Sequence, residues 1–346
     1  MTPVLDTGEQ LERFECFGGW CSVLVSGDDG PCSAQAAVAA ARDSLLDWHG
    51  RFTRFEPRSE LSLLNGDARA EVPASELLVR LAAGVRSAGE LSGGLVDATL
   101  AEELETAGYA EDLAEPLSPG LALALAPPRR AARRGAAGGR PERWREVEGD
   151  AAAGVVRRPP GVRIDGGGLA KGIFADVLAD RLAGHAAFAV DCAGDLAVGG
   201  AARLARQIHV ECPLNGRALH TFELIDGCIA TSGITRRSWL DRSGRPAHHL
   251  LDPSTGAPAF TGIVQVTALA PSAFEAEVRA KAALLAAPRG ASAHLRHGGV
   301  IVYDDGSHRV LQPPPRIALD RLLPFAPSHR TPAGADRGAS GPPFAA

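Results

Sequence analysis

A glycine-rich segment near the middle of the chain combines residue types that could bind an anion. Asp165 is followed by three glycines at 166–168 and by Lys171, and a helical pattern begins directly after them. Consecutive glycines let the backbone approach a ligand closely and allow positive φ. A helix that starts after such a turn presents free N–H groups and the positive end of its dipole, so the segment predicts a phosphate site.

Neither standard phosphate motif fits this segment. A P-loop needs Gly-Lys-Ser/Thr, whereas the order here is Lys171-Gly172-Ile173. A dinucleotide fingerprint counted from Gly166 would place Lys171 where its last glycine belongs. The pattern alone therefore leaves open a tight strand-to-helix connection that binds no ligand.

Two later segments also carry side chains that can do chemistry. His249 precedes the turn Asp252-Pro-Ser-Thr-Gly, and an imidazole there can accept a hydroxyl proton near neutral pH. The alternative is a histidine bonded within its own turn. Thr231 and Ser232 follow a predicted strand, where their hydroxyls either contact phosphate or ribose or only cap the turn.

The elements that must position these residues follow from hydrophobic spacing. We predict a short strand at 162–164 before the glycines and a helix after them, with Asp176 on its solvent side. The inward face of that helix comprises Phe174, Val177, Leu178, Arg181 and Leu182. Further helices are predicted at 34–52, with Val38, Leu45, Leu46 and Trp48 inward, and at 75–91 and 273–287. Strands are predicted at 14–26, 187–190, 207–210, 227–230 and 264–268, with a final strand at 300–303. Because helices and strands mix without strict alternation, the fold class is α+β, with mixed sheets and flanking helices.

Composition bounds the class of protein. The chain has 346 residues, 45% hydrophobic and 22% charged, and a net charge of −5, which gives no electrostatic reason to expect nucleic acid. No apolar run is long enough for a membrane span, and the acidic N-terminus has no apolar signal region, so a cytoplasmic location is expected. The six cysteines form no C-x-x-C pair, so neither a zinc site nor a disulfide framework is expected.

The domain boundaries follow from changes in composition. Residues 1–13 are expected to be a frayed start, 14–325 a single functional domain, and 326–346 a disordered tail rich in Pro, Ala, Gly and Ser. Residues 128–141 are rich in Pro, Gly and Arg and are read as a solvated loop between subdomains. A basic lid that faces a nucleotide is the alternative for that loop.

Six segments in order make the chain resemble the ApbE family, the FAD:protein FMN transferases. The string Asp165–Gly172 with Asp176 is similar to the family's D-x-G-G-x-A-K-G-x-x-x-D signature. The other matches are Ser59–Asn65 (S-x-L-S-x-L-N), Val96–Thr99 (V-D-P-T), Val190–Asp195 (a strand ending in G-G-D), Ala230–Gly233 (A-T-S-G) and His249–Gly256 (H-I-I-D-P-x-T-G). The resemblance spans roughly residues 14–310.

The resemblance implies a T-fold-like, two-lobed architecture with a flavin cleft between the lobes. It implies FAD as substrate, Mg²⁺, and an acceptor redox protein that is flavinylated on a Thr or Ser hydroxyl with release of AMP. It assigns His249 as the catalytic base and Ala170, through its carbonyl, as a metal ligand. The residues it places around the flavin nucleotide are Asn65, Val96, Asp97, Gly167, Gly168, Lys171, Ile173, Thr231, Ser232 and Leu251.

The metal site is where this chain departs from the family pattern. The family's A-D-x-x-x-T helix corresponds to Ala276–Lys281 here, so Glu277 replaces Asp and Lys281 replaces Thr. Glu277 can still bind Mg²⁺, but a protonated lysine cannot bind a cation. Either the two residues form a helix-surface ion pair, or the Lys281 ammonium takes the metal's place and holds the pyrophosphate. Ile234 likewise stands where the family often has an acid, and Arg236 and Arg237 follow it.

Three functions remain open at this point. The first is transfer of FMN from FAD to an acceptor protein. The second is hydrolysis of FAD to FMN and AMP in the same site, with water as the acceptor. The third is a flavin-binding protein without turnover, left by the loss of the Asp and Thr ligands.

Overall fold

The computed structural model describes residues 8–28, 30–113 and 116–313. Its helices are α1 Ala34–Phe52, α2 Glu60–Gly66, α3 Glu76–Ser92, α4 Ala101–Thr106, α5 Pro119–Ala124, α6 Ala170–Leu182, α7 Ala273–Leu285 and α8 Ala287–His294. Its strands are β1 Glu9–Cys16, β2 Gly19–Ser26, β3 Glu71–Pro73, β4 Glu148–Asp150, β5 Val155–Arg157, β6 Ala187–Cys192, β7 Asp195–Gly199, β8 Arg206–Glu211, β9 Ala218–Leu224, β10 Gly227–Gly233, β11 Ser238–Leu240, β12 Pro246–His248, β13 Leu251–Asp252, β14 Ala257–Pro258, β15 Ile263–Ala270, β16 Gly299–Tyr303 and β17 His308–Leu311.

A central sheet of eight strands organises the molecule. Its order is β1-β2-β6-β7-β10-β15-β16-β17, and its neighbouring strands run antiparallel. Three smaller pairs, β8–β9, β11–β12 and β13–β14, and the triplet β3-β5-β4 lie outside this sheet. Helices and antiparallel sheets that do not alternate as βαβ units confirm the predicted α+β class.

Two large hydrophobic cores pack against the sheet. The first joins α1, α3 and α6 to strands β2 and β6. The second joins β10, β15 and β16 to part of α7 and to the β8–β9 hairpin. Helix α7 contributes Ala276 and Val278 to the first core and Ala283 and Leu284 to the second, so it is buried on nearly every side. Its many alanines allow this, since small side chains let neighbouring elements approach closely.

Helices α6 and α7 touch at their N-terminal ends. A Cβ on Gly172 would lie 2.7 Å from the carbonyl oxygen of Ala273 and 2.7 Å from the Cα of Phe274, so only glycine permits this approach. Asp176 accepts hydrogen bonds from the backbone N–H groups of Ala273 and Phe274, at 2.7 and 3.0 Å. It therefore caps α7 and is buried, and the expectation that it faces solvent is wrong.

The predicted strand at 162–164 is absent, although Val162 and Ile164 are buried there. The side-chain amide of Asn65 donates to the carbonyl of Ile164 at 2.8 Å and accepts from the N–H of Ile164 at 2.8 Å. Asp165 donates its N–H to the carbonyl of Ala98. Because these partners satisfy the backbone, the segment needs no neighbouring strand.

Several other predictions need adjustment. The start of the chain is a hairpin of β1 and β2 and not one strand, and residues 9–13, expected to be frayed, pair within it. Leu46 is 43% exposed, although it was expected to point inward. The helix expected over 273–287 ends at Leu285 and is followed by α8, and β17 follows the strand that was expected to be last. Residues 128–141 form a largely exposed loop with one 3₁₀ turn, Gly135–Gly138. The predicted tail at 326–346 lies outside the described residues.

Helix length and composition also bear on membrane insertion. Among the described residues, no helix combines the length and the apolar character that crossing a bilayer requires.

Candidate active site

The three glycines form a 3₁₀ turn, Gly166–Gly168, directly before α6. None of the three adopts a positive φ, although glycine would allow it. The Asp165 carboxylate accepts from the N–H of Gly167 at 2.6 Å and from Nε of Arg54 at 3.0 Å. The turn is therefore held by Asp165 on one side and by the Asn65 clamp on Ile164 on the other.

The N-terminus of α6 already holds an anion that belongs to the protein. The Glu277 carboxylate, on α7, accepts from the N–H of Gly172 at 3.0 Å through Oε2. The expectation that phosphate would bind this helix end is therefore wrong at the Gly172 amide. A ligand anion can instead meet the exposed face of the turn at Gly167.

Four charged side chains lie next to the turn, and three of them, Asp195, Glu277 and Lys281, are buried. Lys171 Nζ contacts Asp195 Oδ2 at 2.6 Å and Glu277 Oε1 at 3.7 Å, and Lys281 Nζ donates to the same Glu277 oxygen at 2.8 Å. Burial raises the pKa of Glu277, but Lys281 and Lys171 outweigh it and lower that pKa to about 2. Burial and the Glu277 charge raise the pKa of Asp195 to about 7. Although burial opposes it, these two carboxylates raise the pKa of Lys171.

Three adjoining cavities of about 310, 280 and 80 Å³ surround the turn, and Gly167 and Arg237 line all of them. Lys171 lines the 310 and 280 Å³ cavities, and Lys281 and His249 line the 310 and 80 Å³ cavities. Lysine, arginine and histidine side chains thus converge on one cleft around the exposed glycine.

His249 follows β12 and reaches this cleft from a segment distant in sequence. Its Nδ1 lies 3.4 Å from the carbonyl oxygen of Arg237. Burial, reinforced by the charges of Arg237 and Lys281, lowers the pKa of His249 well below its ordinary value. The imidazole is therefore neutral at neutral pH, and a carbonyl that can only accept keeps the proton on Nδ1. Nε2 is left as a proton acceptor.

The other predicted site residues divide into two groups. Residues on the cavity walls are Val96, Asp97, Gly168 and Leu251 in the 80 Å³ cavity, Thr231 and Ser232 in the 310 Å³ cavity, and Ala170 in the 280 Å³ cavity. Three predicted residues, Asn65, Ile173 and Glu277, line none of these cavities. Asn65 orients Ile164, Ile173 packs in the first core, and Glu277 binds Gly172 and the lysines.

The hydroxyls and the Asp97 carboxylate have local partners. Thr231 Oγ1 lies 2.8 Å from Thr267 Oγ1 on the neighbouring strand. Asp97 accepts from both the N–H and the hydroxyl of Thr99, at 2.8 and 2.5 Å, and burial raises its pKa. These contacts show that the Asp97 carboxylate stabilises its own turn.

Sequence reasoning missed Arg237 and Tyr109 as site residues. Arg237 donates a hydrogen bond to the carbonyl of Phe17 at 2.6 Å. The sequence feature that could have indicated Arg237 is the basic character of the segment after Gly233, where the family often has an acid. Tyr109 lines the 80 and 280 Å³ cavities, stacks on Trp239 at 5.2 Å between ring centroids, and lies beneath the Arg54 guanidinium at 4.7 Å. No local pattern marks Tyr109, because its partners come from distant segments.

The ion pair of Glu277 and Lys281, one of the two alternatives, is present, but it is buried and does not lie on the helix surface. The Glu277 side chain is fully buried and that of Lys281 is 8% exposed. In the described part of the chain, no group of three or more His, Cys, Asp or Glu side chains is arranged to hold a metal ion.

The fold and the site together define an α+β protein with a cation-lined cleft beside a glycine turn. Its fold is shared with solved ApbE structures. The ApbE protein of Thermotoga maritima MSB8 superimposes with a TM-score of 0.69 at 23% identity, over 87% of this chain and 96% of that one. The Pseudomonas stutzeri flavinyl transferase ApbE, in its apo form, gives a TM-score of 0.66 at 20% identity, over 88% and 96% of the two chains.

The chain belongs to the ApbE family, whose model matches residues 17–303. It is 32% identical to the FAD:protein FMN transferase of Treponema pallidum (strain Nichols) over 35% of this chain. It is 35% identical to the protein of the same name from Escherichia coli (strain K12) over 22% of this chain. The matched segments span 37% and 21% of the lengths of those two relatives.

Proposed function

We propose that this protein transfers FMN from FAD to a Thr or Ser hydroxyl of an acceptor protein and releases AMP. The observation that carries the proposal is the convergence of Gly167, Lys281, Arg237 and His249 on one cleft in a chain of the ApbE family. The acceptor is expected to be a redox protein, because covalent flavin is useful as an electron carrier. The cytoplasmic location stays a prediction.

Cations and an aromatic surface suit the two parts of FAD. The ammonium of Lys281 and the guanidinium of Arg237 would bind the pyrophosphate oxygens, since charge-assisted hydrogen bonds are the strong ones. Tyr109 lines the 80 and 280 Å³ cavities that Arg237 also lines, so an aromatic side chain borders the space that a flavin or adenine ring would enter. Thr231 and Ser232 present hydroxyls to the same cleft for phosphate or ribose.

His249 is proposed to act as the general base. The acceptor hydroxyl oxygen attacks the FMN phosphorus while Nε2 of His249 takes the hydroxyl proton. A new phosphate ester bond forms to the acceptor, and the bond to the AMP oxygen breaks with its electron pair. Binding of the anionic pyrophosphate offsets the Arg237 and Lys281 charges, which raises the pKa of His249 and makes it a stronger base in the complex.

The family implies Mg²⁺, but the side chains present do not fit this ion. Both oxygens of Glu277 are occupied, by the Gly172 amide and by Lys281, and an ammonium replaces the third ligand. Among the described residues, Asp195 Oδ1 is a buried oxygen without a hydrogen-bond partner, but Lys171 lies against the other oxygen of the same carboxylate. One carboxylate oxygen next to an ammonium is too little for a hard divalent cation.

Incubation of the purified protein with FAD and total protein of the source cells tests the proposal. Transfer predicts a flavin-fluorescent band on a denaturing gel and release of one AMP per flavin attached. AMP released without acceptor protein would indicate hydrolysis, and bound FAD without any AMP would indicate a binding protein. Either of those results would overturn the proposed transfer.

A further inference from the structure

We propose that Lys281, together with Arg237, holds the FAD pyrophosphate by side-chain charge alone, so that FAD binding and FMN transfer need no divalent cation. This inference rests on the proposed function for the identity of the ligand. The observations behind it are the position of Lys281, the occupied carboxylate of Glu277 and the charge balance of the cleft.

The position of Lys281 is the first observation. A Cβ built on Gly168 would lie 3.4 Å from Lys281 Cε, so the lysine side chain passes directly over the glycine turn. The same side chain lines both cavities that His249 lines. An anion seated against Gly167 is therefore within reach of the ammonium and next to the imidazole.

The occupied carboxylate of Glu277 is the second observation. Lys281 and Lys171 lie 2.8 and 3.7 Å from the same Glu277 oxygen, and the Gly172 amide takes the other. A cation bound to Glu277 would have to sit beside two ammonium groups or displace them. The repulsion between like charges in a buried site opposes this arrangement.

The charge balance of the cleft is the third observation. Lys171 and Lys281 neutralise Asp195 and Glu277, which leaves this cluster without net charge when all four groups are ionised. Arg237 adds a positive charge, because the group to which it donates at 2.6 Å is the neutral carbonyl of Phe17. Arg237 thus gives a diphosphate diester a positive partner beside this neutral cluster, in a cleft whose walls also carry carboxylates, among them Asp97, Asp165 and Asp191.

The alternative is that Lys281 serves only to neutralise Glu277 within the fold. Two variants separate these roles. Lys281→Met keeps the apolar stem and removes the charge, which leaves Glu277 with Lys171 as its remaining lysine partner. The double variant E277Q/K281M removes both charges and relieves any imbalance within the protein.

The first experiment measures binding of FAD and of riboflavin, which has no phosphate, by quenching of flavin fluorescence in EDTA and in millimolar Mg²⁺. For the unaltered protein, the Kd for FAD is expected to agree within about twofold in the two buffers. Both K281M and E277Q/K281M are expected to bind FAD at least about tenfold more weakly, the loss of one charge-assisted contact, and riboflavin about equally well.

Results of three kinds would overturn the inference. One is FAD binding by the unaltered protein that requires Mg²⁺. Another is full recovery of FAD affinity in E277Q/K281M, which would show a purely structural lysine. The third is unchanged FAD affinity in K281M, or an equal loss for FAD and riboflavin in a variant whose circular dichroism is unchanged.

A second experiment, AMP release with acceptor protein in the same two buffers, distinguishes this inference from the proposed function. AMP release that depends on Mg²⁺ would refute the inference and leave FMN transfer intact. FAD binding that is independent of Mg²⁺ without any AMP release would refute FMN transfer and leave the phosphate-binding role of Lys281 intact.

Discussion

Replacing Glu277 by Gln tests whether the buried charge cluster stabilises the fold as an ionised unit. The pKa of Glu277 is lowered from 4.5 to about 2 in the folded protein because Lys281 and Lys171 outweigh burial. A depressed carboxyl pKa contributes stability that is present above the unfolded value and is lost as pH falls through the folded value. This difference in pKa corresponds to about 3 kcal/mol at pH 7.

The same linkage gives the pH dependence. The contribution falls to about 1 kcal/mol at pH 3, where the unfolded carboxyl is protonated and the folded one is still largely ionised. Glutamine resembles the protonated acid, so the loss of unfolding free energy in E277Q is expected to shrink in the same way. The estimate of about 3 kcal/mol at neutral pH agrees with the range of about 3–5 kcal/mol for breaking a buried pair.

The assay is urea unfolding followed by circular dichroism at pH 7 and pH 3, with the unaltered protein and E277Q measured side by side. Glu223→Gln is the matched control, because Glu223 is exposed on β9, and its effect is expected to stay within about 0.5 kcal/mol. A loss in E277Q below about 1 kcal/mol at pH 7, or one that does not change with pH, would contradict an ionised Glu277 in the fold.

Three further predictions concern the base and the packing of the site. His249→Gln is expected to lower AMP release with acceptor by about 10²–10⁴-fold while FAD affinity stays within about threefold; normal turnover would remove His249 from its role. Because the pKa of His249 is depressed in the free protein, the acid limb of the pH profile of kcat/KM is expected below pH 6.5, with activity unchanged from pH 8 to pH 6.5. Asp195→Asn removes the neighbouring carboxyl with a pKa of about 7, so an acid limb above pH 6.5 that persists in this variant would argue against a depressed His249 pKa. Gly172→Ala is expected to lower the free energy of unfolding in urea by about 1–3 kcal/mol, because the new Cβ would meet the backbone of α7. Gly50→Ala is the control, since a Cβ there meets open space in α1, and it should be neutral or stabilising; equal effects of the two variants would refute the close approach of α6 and α7.

Elements with strong local patterns were predicted well. Helix α1 has the predicted bounds, because Ser33 caps it and apolar residues recur at helical spacing through Phe52. The strands at 187–190 and 264–268 lie within β6 and β15, since short runs of buried residues between turns are typical of central strands. These signals are contained within the segments themselves.

Three of the errors have a common cause, which is a partner from far along the chain. Residues 162–164 resemble a strand, but Asn65 satisfies the backbone of Ile164 from 99 positions away. Asp176 resembles a solvated helix residue, but the N-terminus of α7 covers it. The phosphate expected at the start of α6 is replaced at Gly172 by the Glu277 carboxylate.

The amino-acid sequence by itself determined the family resemblance, the α+β class and the residues around which the cleft forms. Their types and their order along the chain carry this information. Only the tertiary structure decided that Lys171, Asp195, Glu277 and Lys281 share one buried cluster and that Arg237 and Tyr109 join the cleft. The physical reason is that burial and electrostatic interaction depend on distances between segments that lie up to 220 residues apart in the chain, whereas hydrophobic periodicity reports only neighbours within a few turns.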